Sequence, residues 1–146
     1  MKIVVVGLGY VGLSNAVLLA QHNEVIGVDI SQSRVDAVNA RKSPVIDSKL
    51  SDYLANKELN LSASMNLKSS VSDAAYVIVS TPTNYNEETN FFDTSSVEAV
   101  ISDVIDYGSR ACIVIKSTIP VGFIDDIRTR LKTDAVMFSP EFLREG

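Results

Sequence analysis

Apolar and polar positions along the chain follow two periods, and their alternation predicts strands and helices in turn. Short apolar runs of strand length occur at residues 2–6, 24–28, 76–80, 111–116 and 135–138. Residues 59–65 instead alternate apolar with polar side chains, as a half-exposed edge strand does. The pattern therefore predicts about six strands.

Stretches of helical period lie between these runs. Ser31 is expected to cap the second helix, and Thr94 or Ser95 to cap a later helix that follows a polar loop at 84–93. Further helices are predicted at 49–57 and at 121–131, and a short helix is expected to end at 71–74. The first helix is predicted to end near residue 21, and its apolar positions, all expected to face the core, are Val11, Leu13, Val17, Leu18 and Leu19.

Strands that alternate with helices favour an α/β fold. We expect a doubly wound parallel sheet of about six strands with flanking helices, in the strand order 3-2-1-4-5-6. A chain of 146 residues has the size of one domain, so residues 1–146 are predicted to form a single domain.

Composition narrows the classes of function. The net charge of −5, without a basic run, argues against a nucleic-acid partner. No apolar stretch approaches the roughly 20 residues that span a bilayer, so we expect no membrane segment and a cytoplasmic protein. Cys112 and His22, the single residues of their types, leave little material for a metal site, and no metal is predicted. We expect Cys112 to be a buried thiol and His22 a surface residue at a helix end.

The six residues after the first apolar run carry the strongest chemical signal. They read Gly7-Leu8-Gly9-Tyr10-Val11-Gly12, a G-x-G-x-x-G pattern between a predicted strand and a predicted helix. Gly7 would allow a sharp turn, Gly9 would let the backbone approach a pyrophosphate, and Gly12 would let the helix pack closely on the sheet. Phosphates would then meet the N–H groups at the positive end of the helix. The turn predicts a dinucleotide site.

The end of the second apolar run indicates which dinucleotide binds. Asp29 lies about 20 residues after the glycine turn, where a carboxylate accepts hydrogen bonds from the adenosine ribose. Its negative charge would repel a 2′-phosphate, so NAD is the predicted cofactor. Arg34, in the next helix, would lie over the adenine or reach a phosphate, and NADP is the alternative if that group is the 2′-phosphate.

Polar side chains follow three other predicted strands, at the edge of the sheet where ligands of doubly wound folds bind. Thr83 and Thr118 offer hydroxyl groups near a cofactor or a water molecule, unless both only satisfy the backbone of their turns. Glu141 and Glu145 follow the last strand and would share one face of a helix. They could orient a sugar or take a proton from water, unless they only complement the helix dipole and solvent.

Five motifs occur along the chain in a specific order: residues 7–13 (GLGYVGL), 28–30 (VDI), 80–83 (STPT), 115–122 (IKSTIPVG) and 139–146 (SPEFLREG). They extend over the whole chain, and the last is the most diagnostic. Together they resemble the N-terminal, Rossmann-like domain of bacterial UDP-glucose 6-dehydrogenase, within the UDP-glucose/GDP-mannose dehydrogenase family.

The resemblance implies an enzyme that oxidises the C6 alcohol of UDP-glucose to a carboxylate, by two hydride transfers to NAD and through a thioester on a cysteine. It implies that Glu141 is the base for thioester hydrolysis and that Thr118 helps to hold the water. The sugar site would comprise Glu141, Phe142, Leu143, Arg144 and Glu145. The cofactor contacts expected from the glycine turn and the resemblance are Gly7, Gly9, Tyr10, Val11, Gly12, Asp29, Arg34, Thr83, Thr118 and Glu145.

The family's nucleophilic cysteine, a catalytic lysine and asparagine, and most of its uridine site lie in a central helix and a C-terminal domain that these 146 residues do not include. Cys112 does not replace that cysteine. We therefore expect a chain that binds NAD without completing turnover alone, monomeric although the intact family members form homodimers. Two alternatives stay open at this point: a GDP-mannose 6-dehydrogenase domain and a non-catalytic NAD-binding module.

Overall fold

The computed structural model describes residues 1–141. Six of its strands form a parallel sheet, and two form a separate antiparallel hairpin. In chain order the elements are β1 (Lys2–Val6), α1 (Tyr10–Ala20), β2 (Glu24–Val28), α2 (Gln32–Asn39), α3 (Ser48–Asn56), β3 (Leu61–Ser64), α4 (Leu67–Val71), β4 (Tyr76–Val79), β5 (Asn84–Asn86), β6 (Phe91–Asp93), α5 (Ser95–Asp106), β7 (Cys112–Ile115), α6 (Phe123–Leu131) and β8 (Val136–Phe138).

The strands of the large sheet lie in the order β3-β2-β1-β4-β7-β8. This is the predicted doubly wound, Rossmann-like order, with β7 and β8 as the fifth and sixth strands of the sheet. The order reverses between β1 and β4, and ligands of such sheets bind beyond the carboxyl ends of the strands at this reversal. No helix within the described residues is long and apolar enough to cross a membrane.

Both faces of the sheet are covered, because successive side chains of a strand point to opposite faces. Val4 and Val6 of β1 belong to an apolar cluster with α5 and α6, whereas Ile3 and Val5 belong to a second cluster with α1 and α3. Strands buried on both faces need apolar residues at almost every position, which explains the continuous runs seen in the sequence.

Two predicted helix features are wrong, and two predicted N-cap positions are confirmed. Leu18 is 61% exposed, because the buried stripe of α1 comprises Leu13, Ala16, Val17 and Ala20, and Leu18 lies beside it. The helix predicted from residue 121 begins at Phe123, since Gly122 has a left-handed φ of +86°. Ser31 and Thr94 are at the N-cap positions of α2 and α5, as predicted, although neither side chain makes a hydrogen bond to its helix. Asp47 and Asn66, which were not predicted, cap α3 and α4 through their side chains.

The strand predictions need two changes. The edge strand predicted at 59–65 is confirmed in position but is shorter, Leu61–Ser64. The polar loop at 84–93 contains the hairpin β5–β6, whose strands are too short to give a periodic signal. The ring centroids of Tyr85 and Phe92 lie 4.8 Å apart across the hairpin, and the Tyr85 hydroxyl donates to Asn90 Oδ1.

Candidate functional site

The glycine turn leaves the carboxyl end of β1 at the point where the strand order reverses. Gly7 has a φ of +95°, and a Cβ atom there would lie 2.6 Å from the carbonyl oxygen of Ser80, which follows β4. The Gly7 N–H donates to the carbonyl of Val28 at 2.8 Å. Both the backbone conformation and the approach of Ser80 therefore require glycine, as the sharp-turn interpretation predicted.

The other two glycines of the turn differ in their surroundings. A Cβ atom on Gly12 would overlap the carbonyl oxygen of Gly7 and lie 3.3 Å from the Cβ of Ser80, so Gly12 lets α1 pack closely on the sheet, as predicted. A Cβ atom on Gly9 would have no atom of the described residues within 4 Å, and Gly9 has an ordinary φ of −79°. The protein itself therefore gives no reason for glycine at position 9.

The N-terminus of α1 opens from this turn, and no side chain caps it. Its first turn also carries no acidic residue. The N–H groups of a helix start point along the axis and carry about half a positive charge, which capping side chains or anions normally compensate. The α1 N-terminus is therefore suited to an external anion.

Asp29 joins the end of β2 to the glycine turn. Its carboxylate is buried and accepts two backbone hydrogen bonds, to Oδ2 from Leu8 N–H at 2.8 Å and to Oδ1 from Ser31 N–H at 2.9 Å. The guanidinium of Arg34 lies 3.5 Å from Oδ2. The guanidinium group of Arg34 thus lies beside Asp29 and does not extend over the glycine turn. Each Asp29 oxygen keeps a lone pair for a further donor, such as a ribose hydroxyl.

Hydroxyl groups surround the turns after β4 and β7. Ser117 Oγ donates to the carbonyl of Thr81 at 2.6 Å, and Ser96 Oγ donates to Pro82 O at 2.8 Å. Within residues 1–141, neither Thr83 nor Thr118 makes a side-chain hydrogen bond, and Thr118 is exposed. In the part of the chain that the structure describes, neighbouring serines and not these two threonines donate to the carbonyl groups of Thr81 and Pro82.

Glu141 follows β8 and lies against the middle of α1 and the carboxyl end of β7. Its Oε2 accepts a hydrogen bond from Asn15 Nδ2 of α1 at 3.2 Å and lies 3.2 Å from Lys116 Nζ, just after β7. The hydrogen bond from Asn15 and the Lys116 ammonium lower the pKa of Glu141 against an opposing effect of burial, so the group is a carboxylate at neutral pH. Residues 139–141 are not helical, and the predicted sites Phe142, Leu143, Arg144 and Glu145 lie outside the described residues.

Comparison with known proteins identifies the chain. All of residues 1–146 match the family model described as UDP-glucose/GDP-mannose dehydrogenase family, NAD binding domain. The chain belongs to this family. The resemblance, the fold class and NAD as the cofactor of this domain are thereby confirmed.

Members of the dehydrogenase family resemble the chain over its whole length. It is 52% identical over 146 residues to UDP-glucose 6-dehydrogenase of Streptococcus pneumoniae and 40% identical over 148 residues to that of Campylobacter jejuni. The structure is similar to GDP-mannose dehydrogenase from Pseudomonas aeruginosa in a ternary complex, with a TM-score of 0.87 and 29% identity over 99% of this chain. The chain covers 37% of that structure and 37% and 38% of the two relatives.

The glycine turn of this dehydrogenase domain fits NAD on three observations. The Cβ direction of Gly9 is open, the α1 N-terminus has no cap, and the buried Ser80 hydroxyl between the ends of β1 and β4 has no hydrogen-bond partner within residues 1–141. Each of these observations leaves either open space or an unused hydrogen-bonding group at the edge where a dinucleotide binds. Other surface hollows lie elsewhere: one of about 920 Å³ at the opposite edge, beside His22, and one of about 730 Å³ on the hairpin.

The sequence predictions missed two residues that contact Glu141, namely Lys116 and Asn15. Lys116 ends the apolar run of β7 within the motif IKSTIPVG, and a charged residue at the carboxyl end of a buried strand is a usable signal. Asn15 gave no such signal, since a polar residue on a helix is ordinary. Cys112 is half-buried at the amino end of β7, on the far side from the glycine turn, and His22 is exposed just after α1.

Proposed function

We propose that the chain is the NAD-binding domain of a UDP-glucose 6-dehydrogenase, which oxidises the C6 alcohol of UDP-glucose to a carboxylate by two hydride transfers to NAD. Sequence identity favours this substrate, because the chain is 52% identical to the pneumococcal UDP-glucose enzyme and 32% identical to GDP-mannose 6-dehydrogenase of Pseudomonas aeruginosa. Fold similarity does not separate the two, since the TM-scores against a GDP-mannose and a UDP-glucose dehydrogenase are 0.87 and 0.86.

The open glycine turn is the observation that carries the cofactor role. In this proposal the backbone around Gly9, Tyr10 and Val11 receives the pyrophosphate of NAD, because α1 begins there without a cap or an acidic residue. Asp29 accepts hydrogen bonds from the adenosine ribose through its remaining lone pairs. Bound NAD supplies the hydride acceptor. The other cofactor contacts proposed are Gly7, Gly12, Arg34, Thr83, Thr118 and Glu145.

Glu141 and Thr118 have the proposed catalytic roles. Asn15 and Lys116 lower the pKa of Glu141, so the group is ionised at neutral pH, which is the form in which a carboxylate acts as a general base. The Thr118 hydroxyl, exposed just after β7, is available to orient that water. The segment from Glu141 to Glu145 would contact the sugar. Homodimer formation of the intact protein stays a prediction.

Titration of the chain with NADH and NADPH tests the cofactor role. We expect NADH to bind more tightly than NADPH, and Asp29→Ala to weaken NADH binding about 10- to 100-fold, equivalent to roughly 1.4–2.8 kcal/mol. Asp29→Asn keeps an acceptor for Leu8 N–H but removes the charge. The difference in affinity between NADH and NADPH should therefore become smaller. Asp36→Ala, which removes an exposed carboxylate of α2, is the matched control.

Two results would count against the proposal. Absence of NADH binding would refute the cofactor role of the isolated chain, and tighter binding of NADPH would refute the role of Asp29. The same samples with NAD and UDP-glucose test turnover, and the resemblance predicts no NADH production by these 146 residues.

A further inference from the structure

The ammonium group of Lys116 makes two polar contacts within the described residues. Its side chain is only 16% exposed, and Nζ lies 3.1 Å from Ser139 Oγ and 3.2 Å from Glu141 Oε2. Withdrawing an ammonium from water is costly unless hydrogen bonds and an opposite charge replace the solvent. Lys116 is therefore held by the segment that follows β8, and it holds that segment in turn.

Asn15 reaches the same carboxylate from α1. Its Nδ2 donates to the carbonyl of Val11 at 2.8 Å and to Glu141 Oε2 at 3.2 Å. The bond to Val11, one turn earlier in the helix, fixes the orientation of the amide. Asn15 thus joins Glu141 to the helix that begins at the glycine turn.

Both donors contact the same oxygen of Glu141. Within residues 1–141, Oε2 accepts from Asn15 and contacts Lys116, while Oε1 accepts no hydrogen bond. A carboxylate fixed through one oxygen presents the other in a defined direction, and proton transfer depends on such geometry.

We propose that Asn15 and Lys116 are positioning residues for Glu141, which hold Oε2 at the junction of α1, β7 and the segment after β8 and leave Oε1 to accept a proton. The inference rests on the proposed function, in which Glu141 is the base. The direction of its pKa agrees with the geometry, since Asn15 and Lys116 both lower it. Among the described residues, Lys116 is the one charged group in contact with the Glu141 carboxylate, and Asn15 and Ser139 complete the cluster without titrating.

A carbon-13 NMR titration of the Glu141 carboxyl group in this chain tests the proposal. We expect its pKa to rise toward the ordinary glutamate value in Asn15→Ala and in Lys116→Met. Lys116→Arg, which keeps the charge and the donors, should leave it low. Lys2→Met is the matched control, because Lys2 is also 16% exposed but lies in β1, 3.9 Å from Asp73.

The amide spectrum of each variant shows whether it folds. If Lys116→Met does not fold, Asn15→Ala and Lys116→Arg still test the contact. An unchanged Glu141 pKa in Asn15→Ala, or in a folded Lys116→Met, would overturn the positioning role, as would an equal rise in Lys2→Met. Titration with NADH separates this result from the proposed function. The folded Asn15 and Lys116 variants should all bind NADH within about twofold of the original chain. Failure of the original chain to bind NADH would refute the cofactor role and leave the Glu141 measurement standing.

Discussion

Substituting Gly9 and Gly12 separately by alanine distinguishes a glycine kept for a ligand from a glycine kept for packing. The two positions are three residues apart in the same turn. A Cβ atom on Gly9 meets no atom of residues 1–141 within 4 Å, whereas a Cβ atom on Gly12 would lie 2.9 Å from the carbonyl carbon of Gly7 and overlap its oxygen. The same chemical change should therefore act on binding at one position and on folding at the other.

The expected stability changes follow from these distances. Carbon atoms pack at about 3.5–4.0 Å, so Gly12→Ala must push α1 away from the turn after β1. Overpacking of this kind costs about 1–3 kcal/mol, and we expect the upper end because the obstacle is backbone. At position 9, alanine is a poorer N-cap than glycine by a few tenths to about 1 kcal/mol, and lower entropy of the unfolded chain offsets about 0.4–1 kcal/mol. Gly9→Ala should therefore leave stability almost unchanged.

The affinity for NADH should fall in Gly9→Ala, although the stability of this variant is almost unchanged. If the pyrophosphate of NAD occupies the open space at Gly9, the added methyl group should weaken NADH binding at least about tenfold, equivalent to about 1.4 kcal/mol. Urea unfolding followed by circular dichroism measures the stability of both variants, and NADH fluorescence measures affinity. The ligand role of Gly9 is excluded if Gly9→Ala binds NADH like the original chain, or if it loses as much stability as Gly12→Ala.

Two further predictions concern packing and pH. Leu13→Ala should lower the free energy of unfolding by about 2–5 kcal/mol, because Leu13 is fully buried. Leu18→Ala should change it by less than about 0.5 kcal/mol, because Leu18 is exposed. Similar losses for the two variants in urea titrations would contradict the burial pattern. Because the folded-state pKa of Glu141 lies below the ordinary value of 4.5, its charged contacts stabilise the fold above pH 4.5, and this contribution is lost as the pH falls through the lowered pKa. Glu141→Gln should therefore be less stable than the original chain at pH 7, with the difference shrinking below pH 4.5; a difference independent of pH would argue against the contacts.

The accuracy of the sequence predictions depended on how local each feature is. The glycine turn lies between consecutive elements, and its strand-turn-helix context limits the conformations that Gly7 can adopt. The hairpin at 84–93 escaped prediction because each strand has three residues and the Tyr85–Phe92 pair forms across the hairpin. Leu18 was misplaced because apolar residues near the edge of a helical stripe can face either side.

Some residues of the candidate site were predicted from the sequence and others were not, again according to how local their contacts are. Gly7, Gly12 and Asp29 were identified from spacing, because β1, α1 and β2 are consecutive and their strand ends adjoin in the sheet. The Asn15–Glu141 contact joins residues 126 positions apart. Nothing in the local pattern around Asn15 indicates a partner so distant, since that contact depends on how α1 packs beside the end of β8.

By itself the sequence determined the alternation of strands and helices, the doubly wound order and the location of the dinucleotide turn, because each follows from periodicity or from residues whose backbone limits are known. Only the tertiary structure decided which glycines serve packing and which leaves open space, that Arg34 contacts Asp29, and that Asn15 and Lys116 converge on Glu141. The physical reason is that backbone preference and hydrophobic period act between near neighbours, whereas open space and convergent charges arise where elements distant in sequence meet.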